Sequence, residues 1–209
     1  MSVTPKSGHP ASATPKQRRL ARRGWLWLVL AALVPIIAWR FYPTDKSPRG
    51  SYYRVVTAVN RGEPEAIFPY IETEAQHAAF SIGRYTRQAK QVVEASYPEP
   101  ARTEELTRLA PLAEVLPGPG VFRWYAERYG WVARLREDLS GVQSVEVEGD
   151  RASIVTARGT RYPFRRRDTG MWGLTLFTAR LVADGKKAAR DFQQIEAAAA
   201  DYRARTSVR

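Results

Sequence analysis

Residues 142–177, VQSVEVEGDRASIVTARGTRYPFRRRDTGMWGLTLF, decide how this chain folds. Val145 and Val147 alternate with Glu146 and Glu148, the two-residue period of a strand with one buried face. Gly149-Asp150 turns the chain, and residues 151–158 return as a second strand. Gly159-Thr160 turns it again into 161–165, where Pro163 lacks an N–H and so predicts a sheet edge or a bulge. Asp168-Thr169-Gly170 supplies a third turn, and 171–177 make a last strand with Trp172, Leu174 and Leu176 toward one face. Short strands joined by three tight turns predict a four-stranded antiparallel meander, one face of which needs a cover.

Helical patterns on both sides of the meander supply that cover. Ser47-Pro48 is a cap followed by proline, and Tyr52, Val55, Val56 and Val59 then line one face until Asn60-Arg61-Gly62 stops the helix. A short helix opens at Glu63-Pro64 and meets Pro69. Ile71, Ala75, Ala78, Ile82, Tyr85, Ala89 and Val92 form the longest seam, ended by Tyr97-Pro98. A helix over 104–116 contains Pro111, and Pro117-Gly118-Pro119-Gly120 breaks the chain. Phe122, Tyr125, Tyr129, Val132, Leu135 and Leu139 read as one aromatic helix capped by Gly141. Past the sheet, Leu181, Ala188, Phe192, Ile195, Ala199 and Tyr202 make the seam of a C-terminal helix. The expected class is α+β, with several helices packed on the meander.

Ahead of this domain, the run from Trp25 to Tyr42 contains a single charged residue, Arg40, with Trp25, Trp27 and Trp39 near its ends. As a helix it covers roughly 27 Å, close to a hydrocarbon core. It predicts a single N-terminal transmembrane helix, in which Pro35 is tolerated. Trp39-Arg40-Phe41-Tyr42 does not fit the small residues of a signal cleavage site, so a retained anchor is expected. Arg18, Arg19, Arg22 and Arg23 precede it and hold the N-terminus in the cytoplasm, sending the remainder into the periplasm. The expected organisation is a disordered cytoplasmic tail over 1–17, a basic flank and anchor over 18–42, and a linker over 43–50. An extracytoplasmic α+β domain then fills 51–209. The bilayer is the first expected partner, and the bacterial inner membrane the expected location.

Charge distribution argues against nucleic acid. Residues 1–50 hold nine Lys or Arg and one acid, supplying +8 of the net +12. The other 159 residues hold 24 basic and 20 acidic side chains, so the folded part is close to neutral. There is no cysteine, hence no disulfide framework, and the one asparagine, Asn60, is followed by Arg61-Gly62 and is not a glycosylation site.

Two pieces of the chain resemble the nuclear-transport-factor-2-like (cystatin-like) superfamily. One is Arg61-Gly62-Glu63-Pro64-Glu65-Ala66-Ile67 after the first helix. The other is Val145 to Ala152, with Gly170-Met171-Trp172-Gly173-Leu174 closing the meander. Residues 72–140 depart from that pattern as a long helical insertion, and so does the helix after the last strand. The resemblance implies an α+β cone with a pocket between sheet and helices. It transfers no catalytic residue.

Arg165-Arg166-Arg167 has the chemistry to hold an anion, or alternatively to guard a strand edge. Arg165, Arg167, Tyr162 and Trp172 are the candidate ligand contacts. Trp124, Tyr125, Tyr129, Trp131 and Trp172 read mainly as core, a minority being free to line a pocket or to lie against membrane or a partner. His77 is the one histidine of the domain, and with Glu72 and Glu74 it lacks metal-site spacing. No nucleophile elbow or phosphate-binding glycine loop is present, so no catalytic residue, metal or cofactor is assigned. The functional expectation is a membrane-anchored binding or scaffold module of the bacterial envelope, with the C-terminal helix as a surface for an envelope protein. The alternatives are a pocket for an anionic lipid or envelope fragment, and a hydrolase or isomerase using His77.

Overall fold

The computed structural model of the chain describes residues 44–207. Helix α1 (Pro48–Arg61) starts where Ser47 Oγ accepts from the Gly50 amide at 3.1 Å, with proline at its first position. Helix α2 (Pro64–Ile67) runs into a 3-10 turn, Phe68–Tyr70. Then follow α3 (Thr73–Ser96), α4 (Ala101–Ala113), α5 (Pro119–Arg128) and α6 (Trp131–Asp138). Strands β1 (Val142–Glu148), β2 (Arg151–Thr156), β3 (Arg161–Arg166) and β4 (Trp172–Leu174) precede the thirty-residue α7 (Thr178–Ser207).

The strands pair in chain order, all antiparallel, with Val145 opposite Ile154, Ile154 opposite Tyr162 and Phe164 opposite Leu174. Directly opposed residues share a face, so Ala152, Ile154, Tyr162, Phe164, Trp172 and Leu174 form one buried surface. Tyr52, Val55 and Val59 of α1, Phe122 of α5 and Leu181 of α7 belong to the same core.

Pro163 sits at no bulge: it pairs in register with Ser153 inside β3, a strand flanked by β2 and β4, and lies just past the last residue of β3 that β4 pairs. Its carbonyl accepts from the Thr175 amide at 3.0 Å. The N–H and C=O of one strand residue face the same neighbour, so the donor that proline lacks is missing toward β4. That strand ends at Leu174, before a bond from Pro163 is needed. The last strand is therefore shorter than the expected 171–177, and Leu176 lies beyond it, exposed.

A second core lies farther along the helices. Ala89, Val93 and Tyr97 pack with Leu109 of α4 and with Ile195 and Ala199 of α7. Ala78 meets Gly185, Tyr85 meets Phe192 and Tyr97 meets Tyr202, so α3 and α7 run parallel. The apolar seam expected of the C-terminal helix thus packs, through Leu181, Ile195 and Ala199, within its own chain.

Two expectations are corrected. The stretch 122–139 is two helices, broken at Gly130 with φ +62°, and α6 ends at Asp138, ahead of Gly141. The fold expected from the sequence had a single transmembrane helix as its first element; the described fold is an α+β domain of seven helices and a four-stranded antiparallel sheet. Among the described residues no helix is long and apolar enough to cross a membrane. The long helices α3 and α7 pair an apolar seam with charged faces instead. Residues 1–43, with the expected tail, the flank Arg18, Arg19, Arg22 and Arg23, and the anchor residues Trp25, Trp27 and Trp39, lie outside the described part.

Candidate functional site

Where the two cores meet, the helices separate and leave a cleft of about 260 Å³. Helix α3 gives it Ile82, Tyr85 and Thr86, α4 gives Arg108 and Leu112, and α5 gives Trp124 and Tyr125, with Tyr129 just after. Helix α7 contributes Arg180, Asp184, Lys187, Asp191 and Phe192. These α7 positions are spaced four, three, four and one apart, so they lie along one side of the helix.

The wall nearest the sheet is built around Asp184. Its Oδ2 accepts from the Tyr125 hydroxyl at 2.9 Å and from Arg180 Nε at 2.9 Å. The Arg180 guanidinium lies 4.5 Å from the centre of the Tyr129 ring and donates to its hydroxyl. Burial, then the hydrogen bond to Asp184, pushes the Tyr125 hydroxyl well above the usual tyrosine pKa, so it stays a neutral donor. Tyr125 is also ringed by Trp124 at 5.2 Å and Tyr129 at 5.7 Å between centroids. Arg180, Asp184 and the two tyrosines thus satisfy one another and stiffen that wall.

The opposite end is less committed. Arg108 is held by Glu105 of its own helix at 2.6 Å and reaches Asp191 only at 3.8 Å. Lys187 lines the cleft and, among the described residues, makes no ion pair or hydrogen bond. Tyr85 and Phe192, 5.8 Å apart, supply the apolar floor between them. The cleft therefore presents aromatic surface, a fixed polar wall and one unpaired ammonium.

The candidate contacts read from the sequence lie elsewhere, and the structure does not bring them together. Tyr162 and Trp172 are on the buried face of the sheet, 2% and 5% exposed, while Arg165 alternates to the other face. Arg165 pairs with Glu72 and Asp150, each at 3.2 Å. Arg167 donates to the Pro69 carbonyl at 2.7 Å, to Thr73 Oγ1 at 3.2 Å and to Gln76 Oε1 at 2.9 Å. The arginine run thus clamps the sheet to the start of α3. Glu72, 7% exposed, also accepts from the Thr178 hydroxyl at 2.7 Å and so ties α7 to the same point. Tyr162 borders a second cavity of about 280 Å³ with Trp131, Leu135 and Asp138. Its hydroxyl is buried without a hydrogen-bond partner among the described residues.

His77 is exposed and has no acidic partner among the described residues. No cluster of three potential metal ligands occurs among the described residues. The cleft residues of α7 were legible only as charges on a helix face. The available signal was the spacing of Arg180, Asp184, Lys187 and Asp191 beside Ala188 and Phe192, which puts charge next to the apolar seam.

No family model, curated protein or solved structure matches the chain. The nuclear-transport-factor-2-like resemblance gains no support from them and carries no argument about the site.

Proposed function

We propose that residues 44–207 form a ligand-binding module whose site is the cleft between α3, α4, α5 and α7. One observation carries this reading: the cleft combines flat aromatic surface with Lys187, an exposed ammonium left unpaired among the described residues. Small-ligand sites are concave, largely apolar, and orient their ligand through a few polar groups. The ligand class that fits is a flat apolar body with one anionic end, the body between Tyr85, Phe192 and Trp124 and the anion at Lys187 and Arg108. Asp184 is engaged by Tyr125 and Arg180, and Asp191, the other carboxylate of the cleft, faces Arg108 at 3.8 Å, so each carboxylate stands against a cation of its own.

The test uses 2-naphthoate and calorimetric titration of the full chain. Binding is expected, with Lys187→Ala weakening it about tenfold, the loss of one charge-assisted contact. Leu112→Trp, which adds bulk to the lining of the cleft, is expected to abolish binding. Unchanged affinity in both variants would place the site elsewhere.

A further inference from the structure

The sheet has an open edge. Strand β1 pairs with β2 on one side, and among the described residues no strand pairs with its other side. Val145 is 37% exposed and Val147 58%, although their cross-strand partners Ile154 and Ala152 are buried. The two valines therefore carry the inner face of the sheet outward, past its helical cover. On the other face stand Glu146 and Glu148. Glu146 meets Arg161 at 2.6 Å, whereas Glu148 has no ion pair among the described residues, even with Arg151 across the ladder.

Natural sheets guard an edge with charged side chains, lysine above all, or with proline, a bulge or a covering segment; β1 has the charges of Glu146 and Glu148 on one face only. Here the irregularity falls between Val142 and Ser144, and 144–148 pair regularly beyond it. That leaves a strand edge with apolar residues on one face and acids on the other.

We infer that β1 is a docking edge for an extended basic protein segment that adds as a fifth strand. Its apolar side chains lie beside Val145 and Val147, and its Lys or Arg side chains beside Glu146 and Glu148. Main-chain bonds supply affinity in this mode and the alternating side chains supply selectivity. A second copy of this chain that lines up both valines fits poorly. The antiparallel register that sets Val145 beside Val147 also sets Glu146 against Glu146, and like charges directly opposed are destabilising. A seven-residue strand also spans only roughly 23 Å, too short an edge to approach the ~1,200 Å² of a stable dimer.

The experiment measures anisotropy of a fluorescein-labelled peptide, Thr-Lys-Val-Lys-Val-Lys-Thr, titrated with the full chain. Saturable binding that weakens with salt is expected, together with a loss of about tenfold in Glu148→Lys and in Val147→Lys. Both positions are exposed, and unchanged circular dichroism confirms that each variant folds. The acidic peptide Thr-Glu-Val-Glu-Val-Glu-Thr is expected not to bind, although the chain's net charge of +12 favours it by non-specific attraction. Equal binding of the two peptides, or full affinity in both variants, overturns the inference. So does light scattering that finds a dimer of the free chain dissolved by Val147→Lys, since the edge then belongs to a second copy.

Discussion

Gly173 carries no unusual backbone angle, yet a side chain there has nowhere to go. A Cβ at that position would lie 2.7 Å from the Ile71 carbonyl oxygen and 2.8 Å from the Glu72 backbone. These are main-chain atoms, pinned by the Glu72 amide donating to the Leu174 carbonyl at 3.1 Å, so they cannot swing aside. Gly173→Ala is expected to cost about 1–3 kcal/mol in denaturant unfolding. Tyr162 is the opposite case, because its buried hydroxyl gains no hydrogen bond among the described residues. Tyr162→Phe is expected to stabilise by about 1 kcal/mol, seen as a rise in Tm. Burial raises the pKa of both Tyr162 and Tyr125 above the unfolded value near 10. Their contribution is complete below that value and declines as pH rises above it, because the unfolded chain ionises first. Unfolding measured at pH 9 and 11 should show that decline, and Tyr162→Phe should lessen it. The arginine run was legible as a cluster of charge, but its role was not. Arg165 meets Glu72 and Arg167 meets Gln76 across more than ninety residues of chain, which no local pattern encodes.

At the scale of elements, periodicity carried most of the reading. The seams of α1, α3 and α7 and the turns of the meander lie close to where the spacing puts them, because helix and strand periods are local properties. The break between α5 and α6 was not legible. Tyr129 and Val132 keep the seam in phase across Gly130, and apolar spacing does not report a backbone angle. Nothing lies within 4 Å of a Cβ built on Gly130, whose φ is +62°. Gly130→Ala therefore isolates the conformational cost of the left-handed turn, expected at about 1–2 kcal/mol by thermal unfolding, without a steric part. β1 also shows the limit of alternation. Its pattern reads as a strand with a buried apolar face, but whether a helix covers that face depends on where α1 and α6 end. The structure leaves Val145 and Val147 uncovered.

At the scale of the whole described domain, the decisive feature is that α3 and α7 outrun the sheet. Near the sheet they join the core of Tyr52, Phe122, Phe164 and Leu174. Beyond it they have only each other and α4, around Val93, Leu109 and Ile195. The cleft lies at the junction, where neither core has enough large side chains to close the space, so Tyr85, Thr86 and Ala89 of α3 face it rather than a packed layer. A distal core built on three helices buries less and should open more readily than the sheet-backed one. Ile195→Ala removes a 5%-exposed side chain from it, at an expected cost of about 2–5 kcal/mol. If the two cores are separable, hydrogen exchange in this variant quickens for amides in 89–109 and 192–205, while those of β2 and β3 keep their protection. Uniform quickening across the domain would show that the cores melt as one. The cleft at their junction would then be a rigid feature of a single unit and not a seam between two.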